Sequence, residues 1–217
     1  MELDRLDCAS LLTYSPRDGG PDAAQSRDIK TALKNGTLTG TPPSSISHQV
    51  ARILAGSMAR LPFAPFFTPP PVLVPTPKSS LQREGDLWVP QQLSEELSAV
   101  GLGSRVAIIL KRIEAIPKAA TSPASQRPTA QRHFETMAAQ TDLASPGSFL
   151  LVDDVVTRGA TLLGAANRLR ASYPGVPIKA FAAIRTVSNP LEFHAINSPA
   201  VEVIRLRADG STLRRPG

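Results

Sequence analysis

The sequence predicts an α/β domain with a mostly parallel sheet and helices on both faces. Short apolar runs typical of buried strands alternate with segments whose apolar residues recur at helical spacing, which is the pattern of this fold class. One apolar run, at residues 149–152, ends in two carboxylates and leads through a short Thr/Gly loop into a helical segment. The chain has 217 residues, which is enough to form the core of one such domain.

The first half of the chain predicts two helices followed by a strand. Residues 22–36 are a basic segment of helical type that ends at Gly36. Residues 47–59 carry apolar side chains at helical spacing and predict the second helix. The Pro-rich residues 62–71 cannot continue this helix, so the apolar run at residues 72–74 predicts a buried strand.

The second half predicts the remaining elements around the acidic run. Residues 89–100 predict a helix and residues 105–110 predict a strand. The helical pattern at residues 162–169 follows the acidic run, and residues 178–184 and 201–206 predict the last strands. This alternation of strands and helices predicts parallel neighbours in the sheet.

We interpret the chain in three parts. Residues 1–61 are expected to form a helical and loop segment packed on the core, residues 62–207 the core itself, and residues 208–217 a basic tail. The tail carries Arg214 and Arg215, and a solvated end is favoured over a site for DNA.

Composition favours a cytoplasmic protein with no membrane partner. Cys8 is the one cysteine of the sequence, so neither an internal disulfide nor a Cys₄ zinc site can form. The first residues lack the apolar stretch of a signal peptide, and the apolar runs are too short to span a bilayer. The net charge of +6 suits a polyanionic ligand, either nucleic acid or a diphosphate.

The acidic run ends a predicted buried strand, at the edge where open α/β sheets bind ligands. Asp153 and Asp154 suit ribose hydroxyls or a hydrated Mg²⁺, bound directly or through water. The following loop can surround a phosphate with hydroxyls and backbone N–H groups at a helix N-terminus. Its members are Thr157, Arg158, Gly159, Ala160 and Thr161. These residues predict a sugar-phosphate site, with a plain buried strand whose two acids cap the next helix as the alternative.

A second predicted loop offers another site for an anion. Thr76, Pro77, Lys78 and Ser79 follow the strand at residues 72–74 and combine hydroxyls, free backbone N–H groups and a lysine. We expect this loop to bind a second phosphate cluster. A Pro-rich turn with an exposed lysine is the alternative.

A basic segment, residues 111–139, precedes the acidic run. It contains the cations Arg112, Lys118, Arg127 and Arg132 and only two acids. The middle of the segment is rich in Pro, Ser and Ala, cannot bury apolar area and is expected to be mobile. We interpret the segment as a lid over the phosphate site, with a solvated linker as the alternative.

The order of an apolar strand, two acids and a Thr/Gly loop resembles the signature of type I phosphoribosyltransferases. The resemblance implies their fold with a mobile lid, Mg²⁺ as cofactor, and 5-phosphoribosyl 1-diphosphate (PRPP) as substrate. It implies that Asp153 and Asp154 act in catalysis by holding the ribose hydroxyls and the metal. It also implies that residues 157–161 hold the 5′-phosphate and residues 76–79 the pyrophosphate. Arg158 departs from the small or hydroxyl residue usual at its position.

Further segments are similar to the ComF family of phosphoribosyltransferase-like proteins. They are the basic helix at residues 29–36 and the short stretches at residues 74–77, 83–85, 91–93, 110–112 and 131–134. The likeness covers roughly residues 25–206 and is strongest in the acidic run. ComF proteins commonly begin with a Cys-rich zinc module that is missing from this sequence.

The resemblance implies transfer of the 5-phosphoribosyl group to a nitrogenous acceptor with release of pyrophosphate. Thr157 stands where phosphoribosyltransferases of hypoxanthine and guanine carry an acid, which disfavours these bases and leaves the small-molecule acceptor open. A non-catalytic regulator that senses PRPP is one alternative. A ComF-like accessory protein of DNA uptake or processing, with weak non-specific binding to nucleic acid, is another. A homodimer also stays open.

Overall fold

The computed structural model describes residues 1–17, 19–117, 126–141 and 146–217, which form an α/β fold around one large sheet. The helices of this part are α1 (Pro21–Asn35), α2 (Ile46–Ser57), α3 (Val89–Ala99), α4 (Ala130–Glu135) and α5 (Ala160–Ser172). The strands are β1 (Arg5–Tyr14), β2 (Leu38–Thr39), β3 (Ser44–Ser45), β4 (Val72–Pro75), β5 (Arg105–Val106), β6 (Leu110–Arg112), β7 (Met137–Ala139), β8 (Phe149–Val156), β9 (Ile178–Thr186), β10 (Asn197–Leu206) and β11 (Thr212–Pro216).

The main sheet contains seven strands of the described part in the order β11-β10-β1-β9-β8-β4-β5. Strands β1, β9, β8, β4 and β5 run parallel to one another, whereas β10 is antiparallel to β1 and β11 is antiparallel to β10. The predicted α/β class with a mostly parallel sheet is therefore confirmed. Because parallel strands end at the same edge, the carboxyl ends of β1, β9, β8 and β4 lie on one side of the molecule.

The buried side chains of the sheet alternate between two apolar clusters. Leu151 of β8 packs in a cluster with Leu162 of α5, whereas its neighbour Leu150 packs with Leu33 of α1 and Leu93 of α3. This period of two follows from the pleat of a strand. Helices α4 and α5 therefore cover one face of the sheet, and α1, α2 and α3 cover the other.

The helix ends follow local sequence signals. Gly36 ends α1 with a φ of 65°, in the left-handed region that glycine adopts without strain. The Ser45 side chain begins α2 by accepting a hydrogen bond from the His48 N–H at 3.1 Å. The helices predicted at residues 22–36, 47–59 and 89–100 are confirmed with shifts of one or two residues at their ends. No helix of the described ranges is both long enough and apolar enough to cross a membrane.

The predicted strand at residues 105–110 is divided between two sheets. Only its start, β5, pairs with β4, and the chain leaves the main sheet after Ala107, whose N–H donates to Leu73 O at 2.8 Å. The remainder continues as β6, which pairs antiparallel with β7 in a separate ribbon. The division arises because β7 offers a partner that the apolar pattern of residues 105–110 does not reveal.

Strand β1 is not predicted by the sequence pattern, which favours helices and loops for residues 1–61. It lies in the interior of the main sheet between β10 and β9. Cys8 faces one apolar cluster and Ala9 the other. Both faces of the strand are buried, so the alternation of polar and apolar residues that marks a half-exposed strand is missing. The small residues at its centre also have low strand preference.

The expectation of a solvated tail at residues 208–217 is wrong. Residues 212–216 form β11, which pairs with β10 so that Arg214 lies opposite Ile204. The Arg214 side chain is only 8% exposed and forms an ion pair with Glu202 at 3.2 Å. The buried partner and the backbone pairing order this end of the chain, although its charge is typical of a solvated terminus.

Two helical glycines give a matched test of the packing between α4 and α5. A Cβ at Gly164 of α5 would lie 2.5 Å from His133 Cβ and 2.6 Å from Ala130 O, whereas a Cβ at Gly56 of α2 would meet nothing within 4 Å. We expect Gly164→Ala to lower the free energy of unfolding by about 1–3 kcal/mol through overpacking. Gly56→Ala should raise it by roughly 0.5–1 kcal/mol, because alanine stabilises an open helix position.

Urea denaturation of both variants measures this difference. Equal stability of the two variants would show that α4 does not pack closely on α5.

Candidate functional site

The loops after β4 and β8 lie side by side because these strands are parallel neighbours. Val74 pairs with Leu151 and Pro75 with Val152, and the pairing continues where the Thr76 N–H donates to Val152 O at 2.9 Å. We call residues 76–79 the β4 loop and residues 157–161 the β8 loop. The structure thus brings together the two predicted anion loops, which are far apart in the sequence.

Asp153 is a half-buried carboxylate near the end of β8, beside the β4 loop. Its side chain is hydrogen-bonded to Thr76, which is itself buried, and Oδ1 accepts from the Asp154 N–H at 2.9 Å. Burial and the charge of Asp154 raise the pKa of Asp153 to about 7, although Lys34 and the Thr76 hydrogen bond act in the opposite direction. A ligand that supplies a cation or hydroxyl donors would favour the ionised carboxylate.

Asp154 is ion-paired within the protein. Its Oδ2 accepts from Lys34 Nζ at 2.5 Å and its Oδ1 from the Val155 N–H at 2.6 Å. Lys34 lies in the last turn of α1, which covers the face of the sheet opposite α5. Successive strand residues point to opposite faces, so Asp153 turns toward the α5 side and Asp154 toward α1. The two acids therefore occupy different electrostatic environments.

The β8 loop is shaped by Gly159 at the start of α5. Gly159 has a φ of 87°, and a Cβ at this position would lie 2.5 Å from a side-chain atom of Ile204. Backbone N–H groups at the first turn of α5 point out of the helix and attract anions. Thr157 and Arg158 are exposed, and the Thr157 hydroxyl lies 3.2 Å from the Thr186 hydroxyl at the end of β9.

Arg214 supports the strand ends beneath the β8 loop. Its guanidinium donates to Thr186 O at 2.5 Å and to Val156 O at 3.4 Å, in addition to the ion pair with Glu202. These carbonyls end β9 and β8, so Arg214 links both strands at the carboxyl-terminal edge of the sheet. The sequence interpretation missed this role because it assigned Arg214 to a tail.

The β4 loop has its charge compensated by a neighbouring turn. Lys78 Nζ lies 3.4 Å from Asp86 Oδ2, and the Arg83 N–H together with Lys78 lowers the pKa of Asp86. The Trp88 indole N–H donates to Thr76 O at 2.8 Å, and this buried hydrogen bond anchors the start of the loop. Thr76 and Pro77 are buried, so Lys78 and Ser79 are the half-exposed members of this loop.

Arg112 is a buried cation that joins the β4 loop to α4. Its Nε donates to Lys78 O at 2.9 Å and its Nη1 to Thr136 Oγ1 at 2.6 Å. Its Nη2 lies 3.3 Å from His133 Nδ1, and His133 Nε2 lies 3.3 Å from Thr161 Oγ1. Burial lowers the pKa of Arg112 to about 10, and burial together with the Arg112 charge lowers the pKa of His133 to about 3.

The other predicted lid cations within the described residues are Arg127 and Arg132. Arg132 forms an exposed ion pair with Glu114, and Arg127 is half-buried. Lys118 lies outside the described residues. Arg112 is held in the protein interior rather than presented on a surface flap, and closure of the segment stays a prediction. Two further residues contact predicted site residues, although the sequence interpretation did not assign them to the site. Lys34 contacts Asp154, and His133 contacts Thr161.

A metal at this site would need ligand oxygens from a substrate or from water. Among the described residues no three His, Cys, Asp or Glu side chains are grouped to hold a metal ion. Mg²⁺ is commonly bound by one or two carboxylates together with substrate phosphates and several waters. Burial and the neighbouring Asp154 charge raise the pKa of Asp153, so a cation that arrives with its ligand would favour the ionised form of this carboxylate.

The pKa of Asp153 makes a prediction about stability and pH. Folding raises the pKa from 3.8 to about 7, so between these values the folded protein retains a proton that the unfolded chain has released. Stability attributable to this group falls as the pH rises through the window. We expect Asp153→Asn to become progressively more stable relative to the natural protein from pH 4 to pH 7, by at most about 1.4 kcal/mol per pH unit.

Chemical denaturation of both proteins across this range measures the difference. A constant difference would contradict a raised pKa at Asp153.

Two adjacent arginines test the role of β11. Arg214→Gln should lower the free energy of unfolding by about 3 kcal/mol, because Glu202 would be left without its partner. Arg215→Gln removes the same charge from an exposed position and should change stability by less than about 0.5 kcal/mol. Thermal unfolding of both variants measures the two effects. An equal loss of stability in both would contradict the role of Arg214 in holding the strand ends.

Comparison with known proteins leaves the family of this chain open. No family model matches the sequence, and no curated protein matches it either. Its function is therefore inferred from the residues of the two loops and from the resemblance of their sequence to the type I phosphoribosyltransferase signature.

Proposed function

We propose that this chain binds PRPP with Mg²⁺ and transfers its 5-phosphoribosyl group to a nitrogenous acceptor, with release of pyrophosphate. The observation that carries the proposal is the adjacency of the β4 and β8 loops, with Asp153 near the end of β8 and hydrogen-bonded to Thr76 of the β4 loop. A diphosphate and a 5′-phosphate are separated by one ribose in PRPP. Two neighbouring anion loops with a carboxylate beside them offer partners for these phosphate and hydroxyl groups.

The β8 loop is the proposed site of the 5′-phosphate. Its Thr157 and Thr161 hydroxyls and the first N–H groups of α5 offer hydrogen bonds and a positive helix end to a dianion. Gly159 lets the backbone turn sharply without a side chain that would collide with Ile204. Exposed Arg158 adds a cation at the rim of this loop.

The two acids are the proposed sites for the ribose hydroxyls and the metal. Carboxylates accept hydrogen bonds from a cis-diol and repel phosphate, so they orient the sugar between the two loops. Lys34 compensates Asp154 and reduces the repulsion that a polyanion would meet. Asp153 shifts to its ionised form when a hydroxyl donor or a cation arrives, which couples its proton to ligand binding.

The reaction would break the bond between ribose C1 and a pyrophosphate oxygen and form a bond from C1 to the acceptor nitrogen, which then loses its proton. Positive charge develops on the sugar in between, and Asp153 is the nearby group that can stabilise it. Mg²⁺ would supply neutralisation of the leaving pyrophosphate. Lys78 and the N–H groups of the β4 loop would hold the pyrophosphate as it departs.

A non-catalytic PRPP sensor is the second candidate. It is favoured by two ion pairs within the protein. Lys34 is paired with Asp154, and Lys78 is paired with Asp86, so the charge of each lysine is balanced by a carboxylate. A ligand that exchanges these pairs would move α1 and the turn at residues 83–86, which is a change that a partner could recognise. The DNA-accessory alternative loses support, because Arg214 is buried instead of belonging to a free basic tail.

Loss of both site acids should abolish Mg²⁺-dependent PRPP binding. We expect the double variant Asp153→Asn, Asp154→Asn to bind PRPP at least about 100-fold more weakly, since two charge-assisted contacts are lost. The matched control is Asp4→Asn with Asp7→Asn, which removes one charge just before β1 and one near its start. This double variant should bind normally, because the start of β1 lies at the edge of the sheet away from the two loops. Calorimetry with and without Mg²⁺ measures both.

Equal affinity of the natural protein and the double site variant would contradict the proposal. Pyrophosphate release, measured with PRPP, Mg²⁺ and a panel of nucleobases and amines, separates the two candidates. Release with one acceptor supports the transferase, and binding without release supports the sensor.

A further inference from the structure

His133 is a buried histidine at the point where α4 crosses α5. Gly164 makes the crossing close, since a Cβ there would overlap with His133 Cβ. Thr161 lies three residues before Gly164 and therefore on the same side of α5. The ring of His133 in α4 thus reaches Thr161 of the β8 loop, although the two residues are distant in the sequence. Only 4% of His133 is exposed.

The partners of His133 determine which ring nitrogen carries its proton. A guanidinium can only donate hydrogen bonds, so the contact of Arg112 Nη2 with Nδ1 at 3.3 Å requires Nδ1 to accept. A neutral imidazole has one N–H, which must then be on Nε2. The buried position and the neighbouring Arg112 charge keep the ring neutral. His133 Nε2–H therefore donates to Thr161 Oγ1 at 3.3 Å.

This donation fixes the direction of the Thr161 hydroxyl. A hydroxyl that accepts through one lone pair directs its own hydrogen elsewhere. Within the described residues, the Thr161 side chain makes one hydrogen bond, and its partner is His133. Its hydrogen is therefore available to an acceptor in the β8 loop, at the first turn of α5.

We propose that His133 is a positioning residue that sets Thr161 as a hydrogen-bond donor to a bound phosphate. The identity of that phosphate as part of a phosphoribosyl ligand rests on the proposed function. Arg112 fixes the His133 tautomer and also binds Lys78 O in the β4 loop. One buried guanidinium thus orders both loops, through a backbone carbonyl on one side and through an imidazole on the other.

A purely structural role for His133 is the competing explanation. In that case the ring would only fill space between α4 and α5, and its replacement would weaken ligand binding by loosening α4. Arg168 provides the matched control, because its guanidinium donates to Phe134 O at 2.6 and 3.1 Å and so ties α4 to α5 without contacting Thr161.

A double-mutant cycle with ribose 5-phosphate as the probe separates these explanations. Thr161→Val should lower the affinity about 10- to 100-fold, as expected for loss of a hydrogen bond to a charged group. His133→Leu should lower it about tenfold in the natural background but by less than about twofold in the Thr161→Val background. Arg168→Gln should lower the affinity by the same factor in both backgrounds. His133→Gln, which keeps an N–H donor, should restore most of the affinity lost in His133→Leu.

Additive effects of His133→Leu and Thr161→Val would overturn the proposal. A second measurement on the natural protein decides the tautomer even if His133→Leu does not fold. Nitrogen NMR of the ligand-free protein at pH 7 should show the proton of His133 on Nε2, and a proton on Nδ1 or on both nitrogens would overturn the proposal as well.

The outcomes also distinguish this inference from the proposed function. Ribose 5-phosphate binding with a non-additive cycle but no PRPP binding would contradict the proposed function alone. Mg²⁺-dependent PRPP binding with an additive cycle would contradict the positioning role alone. Failure of the natural protein to bind ribose 5-phosphate would overturn the positioning role.

Discussion

The pairing of β4 with β8 in the interior of the sheet is the constraint on which the candidate site depends. Every residue of β4 is buried, so both faces of the strand fix its register against β8. A slip of one residue would turn each side chain to the opposite face and would separate Thr76 from Asp153. The buried core therefore determines the distance between the two loops, and the loops themselves need little internal structure.

Cations from distant parts of the chain compensate the polar groups at this edge. Lys34 comes from α1, Arg112 from β6 and Arg214 from β11, and each bonds a site acid, a loop carbonyl or a strand end. Buried charges and carbonyls are costly without such partners. Their arrangement explains why residues at both ends of the chain belong to one site, and why a phosphate ligand would meet an ordered set of donors.

The sequence predicts those parts of the fold that depend on neighbouring residues. The strand before Asp153, the helix after Gly159 and the helices at the start of the chain follow from apolar spacing and helix-end signals. Strand β1 escapes prediction because both of its faces are buried and its central residues are small. The roles of Arg214 and His133 depend on a hairpin and a helix crossing, so they are set by tertiary contacts that no local pattern records. The division of residues 105–110 between two sheets also depends on a tertiary contact, because the chain that follows β5 continues as β6 and pairs with β7.

A crystal structure of the protein with PRPP and Mg²⁺ would show whether the ligand binds at the carboxyl ends of β4 and β8. We expect the 5′-phosphate against residues 157–161, the diphosphate beside Lys78 and Ser79, and the ribose hydroxyls within hydrogen-bonding distance of Asp153 or Asp154. Ligand bound away from the carboxyl ends of β4 and β8, or bound with its diphosphate in the β8 loop, would contradict the proposed site.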